Sequence, residues 1–179
     1  MAAPLIQTVF GAPGVYGVPE QWPHIERLLQ QEGFVPHGGS ERVLLADVAA
    51  IPRLPVPAPG LEQSRRLGIN GVRISAVLGG EDVGMIEVDE LGGDAGHVVP
   101  GHGVADIGNW ESDPPLADVI KPWLLGEAAR WLTHGRVERL LAYVDTADDG
   151  DLDQLTAAGF VTLTTTRRDW RPTGHQIGR

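Results

Sequence analysis

An α/β fold is what this sequence predicts, and three observations carry it. Strand-like and helix-like patterns follow one another as hairpin, strand, helix, strand, helix, strand, an order that implies helices layered on a sheet. The chain has 179 residues, which suits one domain with a sizeable core. Hydrophobic residues make up 42% and charged residues 21%, the balance of a chain that folds rather than one that stays disordered.

The elements divide into a first unit over residues 1–50, a connector over 51–60 and a main body over 61–179. In the first unit, Gly11 to Gly17 is rich in turn residues, and Pro19 suits a helix start, where its missing N–H costs nothing. Trp22, Ile25, Leu28 and Leu29 keep helical spacing, Gly33 is the stop, and Arg42 to Val48 reads as a buried strand. Pro52, Pro55, Pro57 and Pro59 make the connector stiff and extended. The body opens with a hairpin: Val72, Ile74, Ala76 and Leu78 alternate, Gly79-Gly80 turns, and Val83 to Val88 returns. Leu91 to Gly103 is a Gly- and His-rich loop, and Val104 to Ser112 is a third strand. A helix over Pro122 to Thr133 buries Trp123, Leu124, Leu125, Ala128, Trp131 and Leu132, and ends at Gly135. Leu140 to Val144 is a strand, Asp148 to Ala158 a short helix with acids in its first turn, and Phe160 to Trp170 the last strand. The stretch Leu29 to Val35 echoes Leu155 to Val161, each a helix end, a glycine and then Phe-Val. The echo is a common helix stop or two copies of one structural ending.

Net charge is −10, from 14 Lys and Arg against 24 Asp and Glu. Such a surface repels phosphate backbones, so no nucleic-acid partner is expected; a cationic substrate such as an amine is compatible with it, and so is simple solubility. The chain has no cysteine, which excludes disulfides, thiolate metal sites and a cysteine nucleophile, and fits a reducing compartment. Met1 to Gly11 has neither a basic segment nor a long apolar run, so no signal peptide is expected. No stretch nears the roughly 20 apolar residues that cross a bilayer, so no membrane partner is expected and the expected location is the cytoplasm.

One set of motifs, taken in order, resembles the GNAT superfamily of acyl-CoA N-acyltransferases. It runs from Ala105-Asp106-Ile107-Gly108-Asn109-Trp110 and Asp113-Pro114 to the helix Leu124–Leu132, then Val137–Val144 and Ala158-Gly159-Phe160. The resemblance covers roughly residues 72–172 and implies a mixed, mostly antiparallel central sheet flanked by helices. It implies that two central strands splay apart around the pantetheine arm of acetyl-CoA or another acyl-CoA, with the pyrophosphate at the start of the long helix, where free N–H groups attract anions. The first unit then resembles the end of such a domain, a remnant of a tandem arrangement packed with the body or supplying edge strands to its sheet.

The resemblance further implies a general base, Asp106 or Glu111, with Glu87 a third candidate. Backbone around Trp110 and Ser112 would hold the pantetheine, and Val119, Ile120 and Lys121 would lie near the pyrophosphate. The family's loop has the form Arg/Gln-x-x-Gly-x-Gly or Ala. The aligned stretch Ala117 to Pro122 has neither glycine, places β-branched Val119 and Ile120 there, and adds the charge of Asp118. The family's tyrosine acid falls on Leu155, which has no proton to give, and the two helices that normally precede the hairpin are missing. Two functions are therefore expected. One is transfer of an acetyl or other acyl group from acyl-CoA to a primary amine of a small molecule or peptide. The other is an inactive binding or dimerising module, with a homodimer as its partner state.

Other constellations fit less well. Asp145, Asp149, Gly150, Asp151 and Asp153 are similar to a calcium loop, but Ala147 and Thr156 stand where ligands belong. His97 and His102, with Asp94 or Asp106, are too loosely spaced for a metal signature, so no metal is expected. No Gly-x-Ser-x-Gly elbow supports a hydrolase.

Overall fold

The computed structural model describes residues 17–69, 71–90 and 103–173. The expected Leu91–Gly103 loop, with Asp94, His97 and His102, and the N-terminal turn region lie almost wholly outside them.

The first unit holds β1 (Val18–Pro19), α1 (Pro23–Gln31), β2 (Phe34–Pro36) and β3 (Ser40–Asp47). The helix starts at Pro23 rather than Pro19, because Pro19 is in β1 and Pro23 offers the same fixed φ at the first helical turn. Then follow β4 (Leu61–Leu67), β5 (Val72–Leu78), β6 (Glu81–Glu90) and β7 (Val104–Ser112). A 3-10 turn (Pro114–Leu116) leads directly into α2 (Ala117–His134). The chain ends with β8 (Arg139–Asp145), α3 (Asp149–Ala157), β9 (Val161–Arg167) and β10 (Trp170–Pro172).

Among the described residues, eight strands form one sheet in the order β1-β9-β3-β8-β7-β6-β5-β4, and β10 pairs with β2 in a small second sheet. Every pairing is antiparallel except β7 with β8, so the sheet is mixed and mostly antiparallel, as the resemblance implies. The hairpin β5–β6 turns on Gly79 (φ 63°) and Gly80 (φ 89°), a left-handed pair that glycine adopts without strain. β4 is a strand that the sequence pattern hides. Its Glu62, Gln63, Arg65 and Arg66 are exposed, as suits a charged strand at a sheet edge.

One face of the sheet packs on α2. Leu44, Ile74, Ile86, Val88, Ala105, Ile107, Leu140 and Ala142 meet Ile120, Leu124, Ala128 and Leu132 in one core, and Leu155 of α3 and Phe160 close its end. The outer side of α2 is covered too. The connector runs across it, Arg53 Nη1 donating to the Gly126 carbonyl at 2.8 Å. That is why residues all round this helix are buried.

The sequence echo corresponds to a repeated arrangement. α1 and α3 each end at a left-handed glycine, Gly33 (φ 81°) and Gly159 (φ 95°). The strands that follow run antiparallel to each other, β2 against β10 and β3 against β9. β1, before α1, flanks β9, just as β8, before α3, flanks β3. A local two-fold axis therefore relates the two segments. β3 is not an edge strand: it lies inside the sheet, between β8 and β9.

No described helix is long and apolar enough to cross a membrane.

Candidate active site

β7 and β8 pair over only three positions, Val104 with Arg139, Ala105 with Leu140 and Asp106 with Leu141. Beyond Asp106 they part. The cause lies in β7: Glu87 of β6 pairs with Asn109, whereas the next residue, Val88, pairs with Ile107. Gly108 is thus an extra residue, a bulge that bends β7 away from its parallel neighbour. No described strand pairs with the freed edge of β7, so alternate N–H and C=O groups there face the opening.

Asp106 sits at the vertex and is only 7% exposed. Burial pushes its carboxyl up from 3.8 to about 6, and the charge of Asp89, its cross-strand partner, pushes the same way. A hydrogen bond from Tyr143 opposes both by favouring the carboxylate. Tyr143 stands on β8, two residues beyond the last paired one, so this bond spans the two strands where they separate.

The wide end of the opening is occupied by side chains. Trp110 Nε1 donates to the Lys121 carbonyl at 3.0 Å. The Lys121 ammonium lies 4.4 Å from the centre of the Trp110 ring and is ion-paired with Asp151 at the start of α3. Beside them, Gln154 Nε2 donates to Asp118 at 3.3 Å. These contacts join the N-terminal ends of α2 and α3 across the space between β7 and β8.

The residues expected near a pyrophosphate occupy a helix rather than a loop. α2 begins at Ala117, five residues before Pro122, and Pro122 is inside it. Proline's preference for a helix start misleads here, because the 3-10 turn at Pro114-Pro115 already supplies the start. Ile120 is buried in the core and Val119 is exposed. Pro114 and Pro115 have no N–H, while the N–H groups of Leu116 and Ala117 bond to the carbonyls of Asp113 and Pro114. The four positions Pro114 to Ala117 therefore offer no free N–H to a diphosphate.

The structure does not bring the two favoured bases together. Glu111 lies five residues along β7, roughly 15 Å away at strand rise, exposed beside an open cleft that Arg73 also lines. Glu87 is buried under the Gly68 backbone. Ser112 Oγ donates to the Val83 carbonyl at 2.9 Å. Sequence reasoning missed Tyr143 and the bridging role of Asp151. The signal for Tyr143 was its alternation with Leu141 on the strand expected to border the opening. Among the described residues, no three possible metal ligands converge. In the acidic stretch, Asp148 caps α3 by accepting from Asp151 N, and Asp145 accepts from Ala147 N at 2.8 Å.

A mixed sheet whose two parallel strands part after a short pairing, with a long helix connecting them, is the architecture of this chain. The solved structures identify it: the chain has the GNAT fold. It superimposes on a tandem GNAT protein from the clavulanic acid biosynthesis pathway with a TM-score of 0.69, at 12% identity over 89% of this chain and 60% of that one. For a GCN5-related N-acetyltransferase from Kribbella flavida the TM-score is 0.61, at 12% identity over 86% and 66%. For one from Sphaerobacter thermophilus it is 0.54, at 16% identity over 87% and 58%. The chain thus spans less than two thirds of the length of each. No protein-family model matches the sequence, and no curated protein matches it.

Proposed function

We propose that this chain is an N-acyltransferase that moves an acetyl or other acyl group to a primary amine from a thioester donor of the acyl-CoA class. The observation that carries the reading is Asp106, a buried carboxylate of raised pKa at the vertex of the strand opening. Such a donor supplies an electrophilic thioester carbonyl. The freed edge of β7 fits its extended pantetheine arm, since backbone donors and acceptors alternate along it. The helix start does not fit its diphosphate, and the chemistry uses no step there.

With a pKa of about 6, Asp106 is ionised at neutral pH yet basic enough to accept a proton from an ammonium group. The hydrogen bond from Tyr143 favours the carboxylate form. The net charge of −10 favours a cationic small-molecule or peptide amine as acceptor. The local two-fold supports reading the first unit as the end of a second domain of the same kind.

A second reading, a non-catalytic binding module, is favoured by the Trp110–Lys121–Asp151 contacts across the opening. Calorimetric titration with acetyl-CoA separates the two, followed by thiol-release assays over a panel of amines. The acyltransferase reading expects saturable binding, and at least about a 100-fold slower transfer by Asp106→Asn with binding unchanged. A folded protein that binds no donor at millimolar concentration is the module instead.

A further inference from the structure

At one end of the eight-stranded sheet, β4 has a neighbour on one side only. It pairs with β5 over seven positions without a register shift, from Leu61 with Leu78 to Leu67 with Val72. Just beyond, the Gly68 N–H donates to the Gly71 carbonyl at 2.8 Å, which fixes the phase of the ladder. Bonded and unbonded pairs alternate in an antiparallel ladder, so Glu62, Ser64 and Arg66 turn their backbone groups to β5. Leu61, Gln63, Arg65 and Leu67 turn theirs outward. The Leu61 N–H is used, donating to the Ala58 carbonyl at 3.2 Å. The outward groups of Gln63, Arg65 and Leu67 have no partner among the described residues. Leu67 is also 87% exposed, although it stands on the same face of the strand as Leu61, which is 7% exposed and part of the core.

The sequence of β4, Leu-Glu-Gln-Ser-Arg-Arg-Leu, decides what this edge fits. A leucine stands at each end, Ser64 at the centre, and Glu62 and Arg66 at equal distances on either side of it with opposite charges. We propose that β4 pairs antiparallel with β4 of a second copy of this chain, about a two-fold axis at Ser64, joining the two sheets into one. In this register Gln63 meets Arg65 of the second copy, and Leu61 meets Leu67. All four carry outward backbone groups, as bonded pairs require. Glu62 meets Arg66 of the second copy in the closer, unbonded pairs, so opposite charges face each other at both ends of the contact. Arg66 already pairs with Asp82 at 2.7 Å, and a guanidinium has donors enough for both carboxylates. Ser64 meets its own copy at the axis, where close approach favours a small side chain. Leu67 is covered beside Leu61 of the second copy. Other registers fit worse. A shift by one residue puts outward groups against inward ones. A shift by two sets Arg65 against Arg65 in one direction, and in the other loses both charge pairs and leaves Leu67 bare. Charges on an edge strand ordinarily discourage pairing; placed symmetrically in this way, they admit one partner in one register. A two-fold contact closes on itself, so the product is a dimer and not a fibre.

The test is sedimentation velocity of the full chain from about 1 to 200 μM, where a monomer–dimer equilibrium is expected. Gln63→Pro removes an outward N–H that the ladder with β5 does not use, so it should abolish the dimer and leave the melting temperature of the dilute protein unchanged. Leu67→Ser should weaken the dimer at least about tenfold. Glu62→Arg and Arg66→Glu each set like charges opposite one another, so each alone is expected to be monomeric. Mixed in equal amounts, the two variants restore opposite charges at both ends and should dimerise with each other. A monomer at every concentration, a dimer indifferent to Gln63→Pro, or a mixture of the two folded charge variants that stays monomeric would overturn the proposal. The readout needs neither thioester nor amine, so it stands or falls apart from the function proposed above.

Discussion

If the helix start cannot grip a diphosphate, the nucleotide half of an acyl-CoA donor adds little affinity. The perturbation is made in the ligand: S-acetylpantetheine keeps the thioester arm and lacks the diphosphate and nucleotide. A hydrogen bond to a charged group contributes about 1.5–3 kcal/mol. Pro114 and Pro115 remove two donors from the start of the helical segment, and the next two N–H groups are already used. Two missing bonds amount to about 3–6 kcal/mol, or roughly 10²- to 10⁴-fold in affinity. Asp118, in the first turn of α2, adds repulsion. Acetyl-CoA and S-acetylpantetheine are therefore expected to bind within about tenfold of each other by calorimetry. Acetyl-CoA binding more than about 100-fold tighter would refute the reasoning. It would mean that the first turn unwinds and presents donors that it does not present here.

The remaining predictions concern stability. Asp106 rises from 3.8 to about 6 on folding, so between those values the native state holds more protons and stability falls as pH rises; above pH 6 the buried charge costs up to about 3 kcal/mol, reduced by solvent screening. Asp106→Asn should therefore be more stable than the parent at pH 7.5, with the gap closing towards pH 4; urea midpoints showing the same gap at both pH values would contradict this. Lys121→Met breaks the pair with Asp151, whose side chain is 30% exposed and can rehydrate. The expected loss in denaturant titration is roughly 2 kcal/mol, below that of a fully buried pair, and no change would mean that the contact adds nothing. In Gly126→Ala the new Cβ would lie 2.7 Å from the Pro52 carbonyl oxygen, pushing the connector off α2. A loss of about 1–3 kcal/mol is expected, and an unshifted melting temperature would show that the connector is not tightly packed.

The β5–β6 hairpin, β7 and β8 were legible because period-two apolar runs meet glycine or polar stops, and local chemistry alone decides them. β4 was not, because an edge strand shows charge on both faces and the pairing that makes it a strand is tertiary. The α2 start was misplaced because Pro122 gives a strong local signal, while the helix was already running from the 3-10 turn at Pro114-Pro115. At the site, Asp106 and Glu111 were equivalent by residue type. Only the register around Gly108 sends one to the vertex and the other to the cleft. Lys121 was legible as a cation but not as a committed one, since its partner Asp151 lies 30 residues away.

The position of β3 bears directly on the opening. β8 pairs with β3 over seven positions, from Asp145 to Arg139, but with β7 over only three. Its course is therefore set from the β3 side, and it cannot follow β7 when Gly108 bends that strand away. The segment that fixes this wall comes from the first unit, before the Pro-rich connector, and not from the residues that carry the resemblance. Asp106 stands on β7 and Tyr143 on β8, so the hydrogen bond between them spans the vertex of the opening. Removing β3 would take away the longer of the two pairings of β8, seven positions against three, and with it the support of that wall of the opening.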